Sequence, residues 1–254
     1  MIAGISGMAL AAQLQNDLAD LLALLPQVRR CAENAGEGTD CIDAVVRAAY
    51  RNLRTAHNVA AYTQLCAKPP LARCFCASAV AYAFMQGAAA LCPRVDIRCH
   101  FCAAPLWVAG DVRLFCTCLG NALLNSLLYA GDAPCANLQL EKQGEHAVFT
   151  LRDSGKGILP ETLSCVFAPG MSADPYGDGA PAPGLGLGLA IVQQYTAAYG
   201  GRLLAQSTAG KGSSLALSLP LCMPCGEQVQ VPQMVADRFS PLYVQLCPIC
   251  DLPL

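Results

Sequence analysis

Charged residues are scarce in this chain, at 13% of 254 residues with a formal net charge of -2. No basic run or face stands out, which excludes the electrostatic footprint of a nucleic-acid binder, since that requires clustered Lys and Arg to displace counterions. Long apolar runs are missing as well. Although 54% of the residues are hydrophobic, only residues 74–92 approach a membrane span, and Ser78, Gln86 and Gly87 interrupt them. A spanning helix needs about 20 predominantly apolar residues, so this stretch reads as a buried helix of a folded domain. No basic segment precedes the first apolar stretch, which argues against a signal peptide. A cytoplasmic protein without a membrane span is expected, with no separate sensor segment in the chain. Histidine is also rare: only His57, His100 and His146 occur.

Cysteine is abundant, with sixteen residues. Disulfide scaffolds are short and polar, whereas these cysteines are scattered through apolar runs, so most read as small core residues. Two Cys-x-x-Cys pairs, Cys222/Cys225 and Cys247/Cys250, resemble the knuckles of a zinc ribbon. Against so high a cysteine background, the preferred reading is a tail over residues 222–254 docked by Val231, Met234, Val235, Phe239, Leu242, Tyr243 and Val244.

Chemistry is concentrated in the middle of the chain. Gly184, Gly186 and Gly188 alternate with Leu185 and Leu187 and run into Leu189-Ala190-Ile191-Val192. A glycine run opening an apolar helix offers free amides and a positive helix end to phosphates. Upstream, Asn121 and Asn125 lie four residues apart on one face of an otherwise apolar helix, where an amide is costly to bury without partners. A strand at residues 147–151 leads to Asp153, Gly155 and Gly157. Residues 200–220 read as a two-stranded hairpin that includes Ser213.

In this order, residues from about 70 to 221 resemble the ATP-binding domain of sensor histidine kinases, in the superfamily that includes gyrase and the ninety-kilodalton heat-shock chaperone. The resemblance implies an α+β fold, a two-layer α/β sandwich of Bergerat type over residues 68–221. It further implies ATP and Mg2+ as ligands, with Asn125 holding the metal and Asp153 accepting the adenine amino group. Gly155 and Gly157 are implied to admit the base, Ser213 to lie near it, and Asn121 and the segment Gly184, Gly186, Leu187 and Gly188 to surround the phosphates. Phe167 matches the residue before a mobile lid, which would span residues 168–183.

Residues 1–67 have a different organisation. Leu10, Leu14, Leu18, Leu21, Leu22 and Leu25 form a helical stripe expected to end at Pro26, followed by a polar loop over residues 33–40. A second helix places Ile42, Val46, Ala49, Leu53, Ala56, Ala60 and Thr63 at heptad spacing. Two helices cannot cover both seams alone, so a homodimer closing a four-helix bundle is expected. Lys68-Pro69-Pro70 reads as a linker. The family places a phosphoacceptor histidine and an acidic neighbour where this chain has Gly7 and Met8, which offer neither a nucleophile nor a base. The gyrase-type glutamate is replaced by Asn121, and a basic residue common in the family is Leu128 here. His57 lies off the seam and reads as a solvated helix histidine.

Two functions follow from these departures. One is a histidine-kinase-type protein kinase that phosphorylates a partner's histidine, or a protein serine in the manner of anti-sigma kinases, with a response regulator or another kinase as the expected partner. The other is a dimeric ATP-binding regulator without phosphotransfer. No residue is assigned as catalytic.

Overall fold

The computed structural model describes residues 2–36, 38–128, 134–171, 185–208, 210–224, 231–232, 234 and 238–250, with residues 2–8 described by their backbone alone. Two long helices come first, α1 (Ile2–Ala35) and α2 (Asp40–Ala67). The first does not stop at Pro26, which lies inside it. An interior proline removes one ladder hydrogen bond and crowds the preceding turn, but α2 packs against Leu22 before that position and pairs its Asp43 with Arg29 after it, and tertiary packing of this kind outweighs local propensity.

The rest is α+β. Strands β1 (Arg73–Cys76) and β3 (Trp107–Gly110) form a small antiparallel pair. Strands β2 (Asp96–Phe101), β4 (Cys135–Gln143), β5 (His146–Asp153), β7 (Gly212–Pro220) and β6 (Arg202–Thr208) form a sheet in that spatial order. Only the β2/β4 pairing is parallel. Helices α3 (Ala77–Leu91), α4 (Val112–Leu128) and α6 (Gly188–Ala198) make the second layer; α5 (Pro160–Leu163) is a single turn and α7 (Pro241–Leu246) lies in the tail. The apolar run at residues 74–92 is thus a strand followed by a buried helix.

Period-two alternation in the strands sets the layering. Leu138 and Leu140 on β4 face Leu151 and Phe149 on β5, and Phe149 faces Leu217 on β7. All are buried and continuous with Phe84, Phe115, Leu123, Ile191 and Tyr195 from the helices. Phe115 is the central ring, with centroids 5.3 Å from both Phe75 and Phe149. Such tilted aromatic pairs are favoured by their quadrupoles beyond the area they bury.

Residues 238–250 of the tail are docked, as their apolar spacing implied, whereas Val231 is 40% exposed and Val235 lies outside the described residues. Leu242, Val244 and Leu246 of α7 are fully buried, and α7 packs against α2, α3 and α4. A second core joins Leu22 of α1, Val46, Ala49, Tyr50 and Leu53 of α2, and Val244 and Cys247 of the tail. The first part of the α2 seam, from Ile42 to Leu53, is therefore packed within the chain against α1 and the tail. Most of the apolar residues that the hairpin leaves outward are on α1, where Leu10 and Leu24 are 62% and 59% exposed and Leu14, Leu21 and Val28 are also exposed; Val45 is the exposed one on α2 among the described residues.

Candidate functional site

The site is built at the junction of α2, α4 and the N-terminus of α6. Asn121, Asn125, Leu128, Gly186, Leu187 and Gly188 line one cleft together with Arg54, Thr55 and Asn58 from the hairpin. Gly184 and most of the expected lid, residues 172–183, lie outside the described residues.

The glycines have steric reasons. Gly186 has φ of +65°, and a Cβ there would stand 2.6 Å from the Met171 carbonyl, so both the left-handed backbone and the close approach exclude a side chain. A Cβ on Gly188 would stand 3.0 Å from Asn121 Oδ1. Leu187 precedes α6 without any side-chain cap on the helix. The first amides of an α-helix have no intrahelical partner and carry the positive end of its dipole, so this end is suited to an anion.

The two asparagines differ in state. Asn125 is half-buried on the cleft, and among the described residues its carboxamide has no hydrogen-bond partner. Asn121 is 2% exposed and fully engaged. Its Nδ2 donates to Asn58 Oδ1 and to the Thr117 carbonyl, each at 3.0 Å. Its Oδ1 accepts from Asn58 Nδ2 at 3.0 Å and from Arg54 Nη2 at 3.3 Å. Gln245 of α7 completes the network, donating to Asn58 Oδ1 at 2.9 Å and accepting from Arg54 Nε at 3.3 Å. Asn121 therefore ties α4 to the hairpin and the tail, and Asn125 is the amide left to meet a ligand. A carboxamide oxygen suits a hard cation such as Mg2+ that draws its other ligands from phosphate and water. Asn125 fits that role.

Asp153, Gly155 and Ser213 are brought together beside this cleft. Asp153 Oδ1 accepts from the Gly155 and Ser213 amides, each at 3.0 Å. Burial raises the Asp153 pKa above its ordinary value, opposed by those two amides and by a hydrogen bond from Ser126. Ser126, the residue after Asn125, thus connects the two halves of the site. Gly157 has φ of +73° and precedes Ile158, whose amide donates to Ser207 Oγ at 2.7 Å; Ser207 and Ser213 hydroxyls are 3.0 Å apart. A Cβ on Gly212 would collide with the Asp153 carbonyl, which lets β7 close on the end of β5.

Sequence reasoning missed Arg54, Asn58, Ser126 and Gln245. The one available signal was an Arg54/Asn58 pair at i,i+4 on a helix whose apolar residues lie elsewhere. His57 is partly buried rather than solvated. Burial, followed by the Arg113 guanidinium, lowers its pKa to about 4.

Among the described residues the cysteines form no metal-binding group. Cys222 Sγ lies 3.0 Å from Cys74 Sγ, at the end of β7. Cys247 is buried in the hairpin–tail core, its thiol pushed up to about 12 by burial, which disfavours the thiolate a metal needs. Cys225 lies outside the described residues, and no group of three or more metal-ligating side chains occurs among those described.

Residues 110–223 match the family described as histidine kinase-, DNA gyrase B-, and HSP90-like ATPase. The methanogenesis regulatory histidine kinase FilI of Methanothrix harundinacea is 36% identical over 104 residues, 40% of this chain and 11% of that protein. The sensor-like histidine kinase SenX3 of Mycobacterium tuberculosis is 30% identical over 139 residues, 52% of this chain and 34% of that protein. The chain thus spans between about a tenth and a third of the length of these curated relatives. The full-length ShkA structure, solved in complex with AMPPNP, superposes with a TM-score of 0.65 over 86% of this chain and 47% of that one, at 20% identity, which is a likeness of fold. No described helix is long and apolar enough to cross a membrane. With its motif order, its sheet and its glycine-opened helix in agreement, residues 110–223 are similar to the ATPase domain of the histidine kinase, gyrase B and HSP90 family.

Proposed function

We propose that this chain is a cytoplasmic, homodimeric, MgATP-binding signalling protein of histidine kinase type that passes phosphate to a partner protein. Its proposed domains are a hairpin over residues 1–67, an ATP domain over 68–221 and a docked tail over 222–254. The observation that carries the reading is the cleft in which the unengaged Asn125 carboxamide faces Gly186, Gly188 and the uncapped start of α6. MgATP supplies a γ-phosphoryl group when bound.

The protein's own part is positioning. Asn125 holds the cation, the amides after Gly186 hold phosphate oxygens, and the Asp153 carboxylate accepts from the adenine amino group while Gly155, Gly157 and Ser213 shape that end. Phosphoryl transfer depends mainly on such placement and charge stabilisation. Gly7 and Met8 provide no acceptor, so the nucleophile belongs to a partner such as a response regulator or another kinase. The exposed apolar stripe of α1 supports a homodimer through that helix.

A second reading, a regulator without phosphotransfer, is favoured by the Asn121 network. The position where a gyrase-type base would stand is locked to Asn58, Arg54 and Thr117. Incubation with γ-labelled ATP, alone and with purified receiver domains, separates the two. The kinase reading expects label on a partner and none on this chain. Absence of label on every partner, with ATP still bound, supports the regulator.

A further inference from the structure

Nucleotide phosphates carry more negative charge than one magnesium ion offsets, so a site that holds them needs a protein cation. Among the described residues that line the cleft, the ATP domain supplies none. No Lys, Arg or His occurs between Arg113 and Lys142, a stretch that includes most of α4, nor between Lys156 and Arg202, a stretch that includes the glycine segment and the lid. The place of the family's basic residue is taken by Leu128, which lines the cleft.

Among the described lining residues the one charged side chain is Arg54, and it comes from the hairpin. It is 8% exposed. Its Nη2 reaches Asn121 Oδ1, one helical turn before Asn125, and its Nε reaches Gln245 Oε1, both at 3.3 Å. These distances exceed the roughly 2.7–3.2 Å of well-made N–H···O bonds, and both acceptors are neutral amides. A phosphate oxygen is the stronger acceptor for a guanidinium, which meets it in a fork of two parallel bonds.

We propose that Arg54 is the phosphate-binding cation of this site, supplied across the domain boundary by α2, for a nucleoside di- or triphosphate. The proposal rests on the MgATP reading. It makes the bound polyphosphate a link between the hairpin and the ATP domain, so the same guanidinium that anchors Asn121 and the tail also registers the ligand's charge.

Titration calorimetry on the full chain with MgATP, MgADP and adenosine tests it, using the wild type, Arg54→Met, Arg54→Gln, Arg54→Lys and the double variant Arg54→Met with Leu128→Lys. Loss of one charge-assisted contact weakens ATP and ADP by about tenfold or more, with adenosine changed less than about twofold and Arg54→Lys intermediate. The double variant, which brings a cation in from α4, regains part of the loss. Arg54→Gln keeps an amide donor in the network and decides the question if the Met variant fails to fold. Folded Met or Gln variants with wild-type ATP affinity overturn the proposal, as does an equal loss for adenosine, which marks Arg54 as purely structural. A wild type that binds no ATP overturns the underlying reading instead, and that failure appears before any variant is made.

Discussion

Replacing Gly120 with alanine should weaken the docking of the helix α7 on the ATP domain. A Cβ at this position would lie 2.6 Å from Gln245 Cβ, 2.8 Å from its Cγ and 3.3 Å from Phe84 Cζ. Carbon atoms pack best at about 3.5–4.0 Å, and Gln245 Cβ is fixed to its backbone, so α7 must retreat by about 1 Å. That retreat stretches the 2.9 Å bond from Gln245 to Asn58. Overpacking costs about 1–3 kcal/mol, and leaving the buried Gln245 Nε2 donor unsatisfied a further 1–3 kcal/mol or so. Removing a glycine from a helix interior returns only about 1 kcal/mol. The balance is a loss of about 1–5 kcal/mol in tail docking, and each 1.4 kcal/mol or so is a tenfold change in the opening equilibrium. Amide hydrogen exchange should therefore show residues 238–250 exchanging at least several-fold faster, while β4 and β5 keep their protection. Unchanged exchange across 238–250, or a higher melting temperature from helix propensity alone, would refute the packing described for α7.

Two further outcomes follow from the hairpin. His57 has a folded-state pKa of about 4 against an ordinary 6.5, so below pH 6.5 the unfolded chain takes up a proton that the folded chain refuses; stability should fall between about pH 6.5 and 4, and His57→Gln should flatten that part of a urea-midpoint profile. A Leu14→Glu, Leu21→Lys double variant on the exposed face of α1 should convert a dimer to a monomer in light scattering with little change in melting temperature, whereas Leu53→Asp, at a residue 1% exposed, should unfold the hairpin itself.

The site was legible in the sequence wherever a backbone demand forces a residue type. Gly186 and Gly188 occupy places where a Cβ would crowd backbone or Asn121, and Asp153 ends a strand whose alternation is plain. The contacts between distant segments were not legible. Residues 42, 46, 49 and 53 declare that one face of α2 is buried, but not that Val244 and Cys247, almost two hundred positions away, help cover it. Likewise, two amides at i,i+4 on α4 look equivalent. Only the arrival of Asn58 and Arg54 separates Asn121, which is consumed by the network, from Asn125, which is not. Pro26 misled for the same reason: packing against α2 carries the helix through a residue that local propensity would use as a stop.

The central claim is magnesium-dependent ATP binding through Asn125. Calorimetry on the full chain, titrated with ATP in magnesium and again in a chelator, compares the wild type with Asn125→Ala. The variant removes a half-buried side chain with no protein partner among the described residues, so its melting temperature should stay within a few degrees of the wild type. The account predicts that magnesium strengthens ATP binding to the wild type and has no such effect on Asn125→Ala. Equal magnesium-dependent affinity in the two proteins would contradict it.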